Sequence, residues 1–338
     1  MTSICISNQI RPLVSHPFQI SRVFSPSNSP RNFNLSHKIS PTPIKFLASK
    51  SKLKSEEPHF TNHKTKTTLT QEDGVPINHV KTLVNFKSKH NYIRVLEVSR
   101  KADHPFAGSR LLLLDKPGNI HSVSFLFKLL TNTYFDVFVT FPPILPQGPL
   151  GILGFGAGSA ANLILRLYPE AEIYGWELDS DVISVGREYF GLSTLENENP
   201  DRLVVYAGDA LEANVRDGFA GILVDLFSNG SLIPELQDPE TWVRLKERLR
   251  EGGRIMVNVG GSCVKAEDPL RDGNVVMEDT LKAMNVVFGH QVFVQSLGNR
   301  KADSSIALTG ELPNLDMWKE ALPSSLRCYV DMWTPFQG

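Results

Sequence analysis

One stretch of the chain decides the fold: residues 149–165 read PLGILGFGAGSAANLIL. It begins with a short apolar run, continues with glycine at three alternate positions, and ends in apolar residues at helical spacing. This order predicts a buried strand, a glycine-rich turn and a helix. Glycine lets the backbone turn sharply and approach a ligand, and the start of the following helix offers unpaired N–H groups to an anion. The stretch therefore predicts a ligand-binding turn at the edge of a sheet.

Downstream of this turn, strand and helix patterns alternate. The predicted strands are 171–177, 202–206, 220–225 and 254–259, and the predicted helices are 160–167, 179–190, 240–250 and 274–286. Residues 291–297 and 305–309 are expected to close the sheet as an antiparallel hairpin. Strands that alternate with helices of about ten residues indicate a doubly wound, mostly parallel α/β sheet. Upstream, β-like runs at 91–98, 110–115 and 120–125 predict a small antiparallel layer.

Carboxylates follow three of the predicted strands, at the edge where open α/β sheets bind ligands. Glu177 ends the second strand, where a carboxylate can accept hydrogen bonds from ribose hydroxyls. Asp209 follows the third strand, within reach of an adenine amino group, and Asp225 closes the fourth. Ser159 stands where the nicotinamide fingerprint has its third glycine, which disfavours a dinucleotide. The candidate nucleoside-binding residues are Gly154, Phe155, Gly156, Gly158, Glu177, Asp209 and Ala210.

The region from Gly154 to Val259 resembles the spermidine synthase-like branch of the S-adenosylmethionine-dependent methyltransferase superfamily. The resemblance rests on the segments GFGAG (154–158), YGWELDSDVI (174–183), REYFGL (187–192), GDA (208–210), ILVD (222–225) and GGRIMVN (252–258). It implies a seven-stranded class I methyltransferase-like sheet with a small N-terminal antiparallel β domain. It also implies S-adenosylmethionine as co-substrate and a homodimer.

The chain departs from the aminopropyltransferases of this branch at two places. Ala157 replaces an acidic residue of the glycine loop, and Asp225-Leu-Phe-Ser228-Asn229 replaces an Asp-Ser-Ser-Asp-Pro signature. Both missing carboxylates would face ammonium groups, which are costly to bury unpaired. The sequence therefore favours methyl transfer from S-adenosylmethionine to an unidentified acceptor, with Asp225 as base or positioning residue and Ser228 as a second catalytic candidate. Two alternatives remain open: aminopropyl transfer from decarboxylated S-adenosylmethionine, and a non-catalytic nucleoside-binding or interaction module.

The acceptor pocket is expected to be shaped by the loop of residues 227–238, which follows the fourth strand. Three histidines, His104, His121 and His290, have no partner at nucleophile spacing, so the sequence assigns none of them a catalytic role. The three cysteines form no C-x-x-C and no metal-ligand cluster, so no metal is expected.

The N-terminal segment differs in kind from the rest. Residues 1–55 contain 8 Lys plus Arg, 12 Ser, 6 Pro and no acidic residue. This composition predicts a transit peptide, and its prolines favour the chloroplast stroma over the mitochondrion as destination. The remaining expected parts are a linker (56–84), the small β domain (85–145) and the nucleoside-binding domain (146–338).

The charge balance argues against nucleic-acid binding, and the interrupted apolar stretch argues against a membrane-spanning segment. Residues 56–338 carry 27 basic and 36 acidic side chains, so bulk nucleic-acid binding is not expected. The uncharged stretch 137–165 is interrupted by prolines and glycines, so no transmembrane segment is expected.

Overall fold

The computed structural model describes residues 75–116, 118–297 and 304–338. The predicted transit peptide of residues 1–55 and most of the predicted linker lie outside the described residues, so both stay predictions. All the described residues fall within one compact unit, Leu69–Gly338. None of the helices found among them is both long and apolar enough to cross a membrane.

A small antiparallel sheet precedes the larger sheet, as the sequence predicts. Its strands, in spatial and chain order, are β1 (Val80–Lys87), β2 (Tyr92–Val98), β3 (Ser109–Leu113) and β4 (Ile120–Phe125). The predicted boundary at residue 85 falls inside β1. The reason is that Val80 to Thr82 already pair with Val98 to Leu96 of β2.

The second sheet has eight strands, one more than predicted. In chain order these are β5 (Leu150–Leu153), β6 (Ile173–Glu177), β7 (Leu203–Ala207), β8 (Phe219–Val224), β11 (Leu249–Gly260), β12 (Val292–Ser296), β13 (Ser305–Thr309) and β14 (Thr334–Pro335). Between them, β9 (Phe227–Ser228) and β10 (Ser231–Leu232) form a separate hairpin. The extra strand, β14, has two residues and pairs with β12, so that β14 itself forms the edge of the sheet. Its proline is tolerated there because an edge strand has one side without ladder bonds.

The spatial order of the large sheet is β14-β12-β13-β11-β8-β5-β6-β7. Neighbours from β11 to β7 are parallel, and β13 is antiparallel to both β11 and β12. This is the predicted doubly wound sheet with a closing hairpin. Because β5 lies between β8 and β6, the ends of these three strands present the glycine turn, Asp225 and Glu177 side by side.

Seven α-helices accompany the described strands. They are α1 (Tyr134–Phe138), α2 (Ser159–Leu167), α3 (Ser180–Tyr189), α4 (Leu192–Glu198), α5 (Pro239–Glu247), α6 (Gly273–Phe288) and α7 (Leu315–Glu320). Sequence reasoning missed α1, α4 and α7, which are only five to seven residues long. The predicted helix 240–250 was wrong at its end. There Leu249 already pairs with Phe219, so β11 begins before the predicted strand 254–259.

Strand β4 fastens the small sheet to the glycine turn. The Ala157 N–H donates to Ser122 Oγ at 2.9 Å, and the Val123 N–H donates to Ser159 Oγ at 3.0 Å. The Ser159 hydroxyl returns a bond to the Val123 carbonyl at 3.0 Å. All three bonds are buried, so they hold β4 in one position over the carboxyl edge of the large sheet.

A second attachment joins the β1–β2 turn to the start of α3. Asp179 caps α3 and is almost fully buried. Its Oδ2 accepts from Ser88 Oγ at 2.5 Å and from Asn91 Nδ2 at 2.7 Å. Two separate polar attachments therefore set the orientation of the small sheet relative to the large one.

We predict that Gly175→Ala destabilises the fold. A Cβ at Gly175 in β6 would overlap the ring of Phe155, which is buried at 4% exposure. We expect a loss of about 1–3 kcal/mol in the free energy of unfolding, from forced displacement of that ring. Urea denaturation of the purified chain measures it.

Gly208→Ala is the matched control, because nothing lies within 4 Å of a Cβ at that position. It should change the free energy of unfolding by less than about 0.5 kcal/mol. Equal effects of the two substitutions would show that Phe155 is not packed against β6 as described.

Candidate active site

The glycine turn is held in a left-handed backbone conformation against the end of β8. Gly154 has φ +85°, and a Cβ there would overlap the backbone carbonyl of Asp225. Gly156 has φ +56°, and a Cβ there would lie 2.7 Å from Ser122 Oγ. Glycine is therefore required at both places by conformation and by space.

The N–H groups of the turn are already used within the protein. Those of Gly154 and Phe155 donate to the Trp176 carbonyl, and that of Gly156 donates to Glu177 Oε2. Those of Ala157 and Gly158 donate to Ser122 Oγ and to the Phe155 carbonyl. The N–H groups of residues 154–158 are therefore not free for a ligand, and the expected anion site at the start of the following helix, from Ser159 onward, stays a prediction.

Two side chains of the turn face the core. Phe155 is 4% exposed and packs over Gly175, so its ring is a packing element and only its backbone borders the turn. The methyl group of Ala157 is 3% exposed and belongs to an apolar cluster with Ile93, Val182 and others. Packing alone explains a small apolar residue at position 157.

Glu177 lies at the end of β6 with its carboxylate directed at the turn. Its Oε2 accepts from the Gly156 N–H at 2.9 Å, and its Oε1 accepts from the Asp179 N–H at 3.1 Å. Burial raises the pKa of Glu177, and the two N–H bonds and His121 oppose that rise. A carboxylate has about four acceptor positions, so two remain for hydroxyl groups of a ligand.

The neighbouring residues could hold a flat base. Leu178 follows Glu177 and is 55% exposed, an apolar side chain left open at the sheet edge. Asp209 is exposed and caps the short helical turn that begins at the buried Ala210, accepting from the Leu211 N–H at 2.8 Å. Trp176 instead packs inside, stacked on Tyr206 with ring centroids 5.0 Å apart. Sequence reasoning missed Leu178, whose signal was its position directly after Glu177.

Asp225 follows β8 and is held by two donors. Tyr134 Oη donates to Asp225 Oδ2 at 2.8 Å, and Asn258 Nδ2 donates to Asp225 Oδ1 at 2.9 Å. The other amide atom of Asn258 accepts from the Gly260 N–H, which fixes the amide orientation. Burial raises the pKa of Asp225 to about 6, although both hydrogen bonds and His121 act to lower it. Asp225 is thus ionised at neutral pH and can accept a proton near that pH.

Tyr134 comes from α1, which sequence reasoning missed. Its signal was Thr133-Tyr-Phe-Asp136, a Ser/Thr-x-x-Asp/Glu pattern typical of a helix start. Thr133 caps α1, and Asp136 accepts from the N–H groups of Thr131 and Asn132. Burial, followed by the charge of Asp225, raises the pKa of Tyr134 well above its ordinary value, so the phenol stays a donor to Asp225.

His121, which the sequence left without a role, lies on β4 and is paired with Asp115. Its Nε2 lies 3.1 Å from Asp115 Oδ2, across the β3–β4 turn. Its charge lowers the pKa of both Glu177 and Asp225, and its ring stands edge-on to Phe227 at 6.4 Å. The predicted turn at 116–119 was the signal, since it brings the chain back so that residue 121 lies near residue 115.

Asp115 is firmly held as a carboxylate. It accepts from the Gly118 N–H, the Asn119 N–H and Asn119 Nδ2 at 2.7, 3.0 and 2.7 Å. Burial acts to raise its pKa, but the bonds from His121, Asn119 and Gly118 outweigh it and lower the pKa. Within the described residues, no group of three or more His, Cys, Asp or Glu side chains could hold a metal ion.

Hydrogen bonds join three loop segments: residues 115–116 with 118–119, residues 227–232, and residues 262–268. Asn119 pairs with the backbone of Lys265 through two bonds of 2.9 and 3.0 Å. The Glu267 N–H donates to the Asn229 carbonyl at 2.8 Å, and Glu267 also accepts from the Lys116 N–H. Ser228 lies on the exposed side of the 227–232 hairpin, whereas Asp225 is partly buried.

Sequence and structure comparisons both match proteins named as an aminopropyl transferase or a spermidine synthase. No protein-family model matches the chain. A probable polyamine aminopropyl transferase from Bifidobacterium longum is 26% identical over 230 residues, which cover 68% of this chain and 44% of that protein. The chain thus spans less than half the length of this curated relative.

Two solved structures share the architecture. A probable spermidine synthase from Corynebacterium glutamicum superposes with a TM-score of 0.52 and 16% identity, over 73% of this chain and 93% of that one. A spermidine synthase in complex with the transition-state analogue AdoDATO gives 0.50 and 15%, over 74% and 87%. The predicted fold class, including the small N-terminal β sheet, is confirmed.

We predict that Asp225→Asn stabilises the fold at high pH. The pKa of Asp225 rises from 3.8 to about 6 on burial, so the folded state holds this proton more tightly than the unfolded chain does. The cost of ionising Asp225 is therefore absent below about pH 4 and complete above about pH 6. We expect the variant to gain about 1–3 kcal/mol in free energy of unfolding at pH 8 and almost nothing at pH 4.

Urea denaturation at the two pH values measures the gain. Asp209→Asn, an exposed carboxylate at a neighbouring strand end, serves as the control and should give similar small changes at both pH values. A gain for Asp225→Asn that is the same at pH 4 and pH 8 would contradict the burial of an ionised Asp225.

Proposed function

Because the chain has the spermidine synthase-like form of the class I methyltransferase fold, we propose that it transfers a group from a sulfonium nucleoside to an amine. The group we propose is aminopropyl, donated by decarboxylated S-adenosylmethionine. The observation that carries the proposal is Asp225, a partly buried carboxylate with a pKa of about 6, held between Tyr134 and Asn258 beside the glycine turn.

The nucleoside end of the donor fits the edge formed by β6 and β7. Glu177 has acceptor capacity left for ribose hydroxyls, and Leu178 offers an exposed apolar surface to an adenine ring. Asp209 is exposed at the end of β7, where its second carboxylate oxygen can accept from the adenine amino group. The side chain of Phe155 takes no part, because it is buried in the core.

The charge of the site suits cationic substrates. Asp115, Glu177 and Asp225 contribute three carboxylates, and burial raises the pKa of the last two. A sulfonium or ammonium group placed between these carboxylates would attract them and so partly replace the hydration that they lose on burial. The site is therefore better matched to a cationic donor and a cationic amine than to an anionic substrate.

The reaction needs a proton acceptor at Asp225. The neutral amine nitrogen attacks the carbon bonded to sulfur, the C–S bond breaks, and its electron pair leaves with a neutral thioether nucleoside. The nitrogen now has four bonds and a positive charge, and it becomes neutral by passing one proton to Asp225. Tyr134 and Asn258 hold the two carboxylate oxygens in place, so the carboxylate is oriented before the amine arrives.

Methyl transfer, which the sequence favours, loses one of its two supports. Packing in an apolar cluster accounts for Ala157 without reference to the donor, whereas Ser228 still stands where the signature has its second carboxylate. The name of the Bifidobacterium longum relative also supports the aminopropyl group. A non-catalytic module stays the remaining alternative, and turnover separates it from both transferases.

We predict that Glu177→Gln weakens binding of decarboxylated S-adenosylmethionine by about 10- to 100-fold, because a charge-assisted bond to the ribose becomes a neutral one. Calorimetry with this donor measures the loss. Mass spectrometry of products formed from each donor with a panel of diamines and polyamines identifies the transferred group. Methylthioadenosine is the nucleoside product that we expect.

Glu170→Gln, an exposed glutamate that precedes β6, is the matched control and should bind the donor like the parent chain. Formation of S-adenosylhomocysteine instead of methylthioadenosine would establish methyl transfer. Binding without any product over the whole panel would favour the non-catalytic module.

We predict that the transfer rate rises as pH increases through about 6, because Asp225 must be ionised to take the proton. Tyr134→Phe removes a hydrogen bond that lowers the pKa of Asp225, so the rising limb should move to higher pH. Rate profiles of both forms at saturating donor, between pH 5 and 9, measure the shift. A limb that stays at the same pH in Tyr134→Phe would rule out Asp225 as its origin.

A further inference from the structure

One side chain at the ligand edge has no role in the proposed reaction, namely the imidazole of His121, which is paired with Asp115. The His121 side chain is 16% exposed, and that of Asp115 is 3% exposed. Nε2 is engaged by Asp115, while Nδ1 has no hydrogen-bond partner among the described residues. A carboxylate that holds one ring nitrogen fixes the ring and leaves the other nitrogen to meet a ligand.

The position of His121 follows from the order of the strands. A donor whose ribose lies at Glu177 and whose reacting carbon lies near Asp225 must cross the end of β5, which separates β6 from β8. That end is the glycine turn, and β4 lies directly on it through the Ser122 and Val123 bonds. The side chain of β4 that acts on both Glu177 and Asp225 is His121. The arm of the donor beyond its sulfur therefore passes His121.

The two forms of the donor differ in that arm. S-adenosylmethionine carries a carboxylate there, and the decarboxylated form carries only its ammonium group. His121 contacts Asp115, which follows β3, and the uncharged ring of Phe227 on β9. Its charge also lowers the pKa of Glu177 on β6 and of Asp225 after β8. His121 is the one side chain that affects the pKa of both Glu177 and Asp225, and an imidazole can become a cation. A donor carboxylate in this acidic pocket needs that cation.

We propose that His121 is the residue that selects between the two donors through its charge. As a neutral imidazole it leaves the pocket acidic and favours decarboxylated S-adenosylmethionine. As an imidazolium it pairs with the carboxylate of S-adenosylmethionine and lets that donor bind. The inference rests on the proposed function, and it moves donor selection from the glycine turn, where Ala157 is buried, to β4.

The test is binding of each donor alone to the purified chain, by calorimetry, at pH 6, 7 and 8. The affinity for S-adenosylmethionine relative to its decarboxylated form should rise about tenfold from pH 8 to pH 6, the size expected for gaining one partly buried ion pair. Titration of Glu177 acts on ribose binding by both donors alike and so cancels in the ratio.

Three variants isolate His121. His121→Gln can still donate to Asp115 but carries no charge, so the ratio should stay at its pH 8 value throughout. His121→Lys keeps a cation, so the ratio should be high and independent of pH. Asp225→Asn removes a carboxylate whose pKa burial raises to about 6, and the trend should persist in it. His290→Gln, an exposed histidine, is the matched control and should behave like the parent chain.

The outcomes separate this inference from the proposed function. A pH trend that survives in His121→Gln, with both donors still bound, overturns the assignment of His121 and leaves the proposed function standing. Failure of the parent chain to bind either donor at any pH overturns both. Thermal unfolding of each variant shows whether a lost pH trend is due to loss of the fold. If His121→Gln does not fold, the affinity ratio of His121→Lys decides: a high ratio at every pH supports the role of charge, and a low ratio refutes it.

Discussion

The attachment of β4 to the glycine turn is the interaction on which the site depends. Three buried hydrogen bonds join Ser122 and Val123 to Ala157 and Ser159. Without them the turn would still end β5, but the attachment at Asp179 alone would hold His121 and Asp115 in place relative to the large sheet. Buried polar groups are strongly penalised when unpaired, so this contact can be made in one register only. The small sheet is thus a structural part of the site and not an appendage.

The second constraint is electrostatic. Glu177 and Asp225 are carboxylates whose pKa values are raised by burial, and each is kept ionisable by two donors from the protein. Keeping two such groups at one sheet edge costs stability unless a cation comes between them. Sulfonium and ammonium groups meet that need without any metal ligand set. The same property that lowers the stability of the fold therefore favours the cationic substrates that we propose.

Much of the large sheet could be predicted from sequence, for a physical reason. Its strands are short apolar runs followed by glycine or acidic residues, and parallel βαβ units bring those ends to one edge. Glu177, Asp209 and Asp225 were found by that rule alone. What could not be predicted depends on contacts between distant segments. Tyr134 reaches Asp225 from a helix of five residues, too short for a periodic signal. His121 meets the same limit, because nucleophile spacing along the chain does not extend across a hairpin turn. The β3–β4 turn brings Asp115 to it at 3.1 Å, and the docking of β4 then brings both to the ligand edge.

Ala157 carries the converse lesson. In the sequence, Ala157 stands where aminopropyltransferases have an acidic residue in the glycine loop. That difference favours S-adenosylmethionine over its decarboxylated form as the donor. In the fold its methyl group packs with Ile93 and Val182 at 3% exposure. A carboxylate pointing the same way would enter an apolar cluster, where ionisation is strongly disfavoured. A missing carboxylate affects the donor only if the side chain at that position points toward the ligand. At position 157 the side chain points into the apolar cluster, because the small sheet packs over the turn. Donor choice must therefore be sought among groups that face the ligand edge.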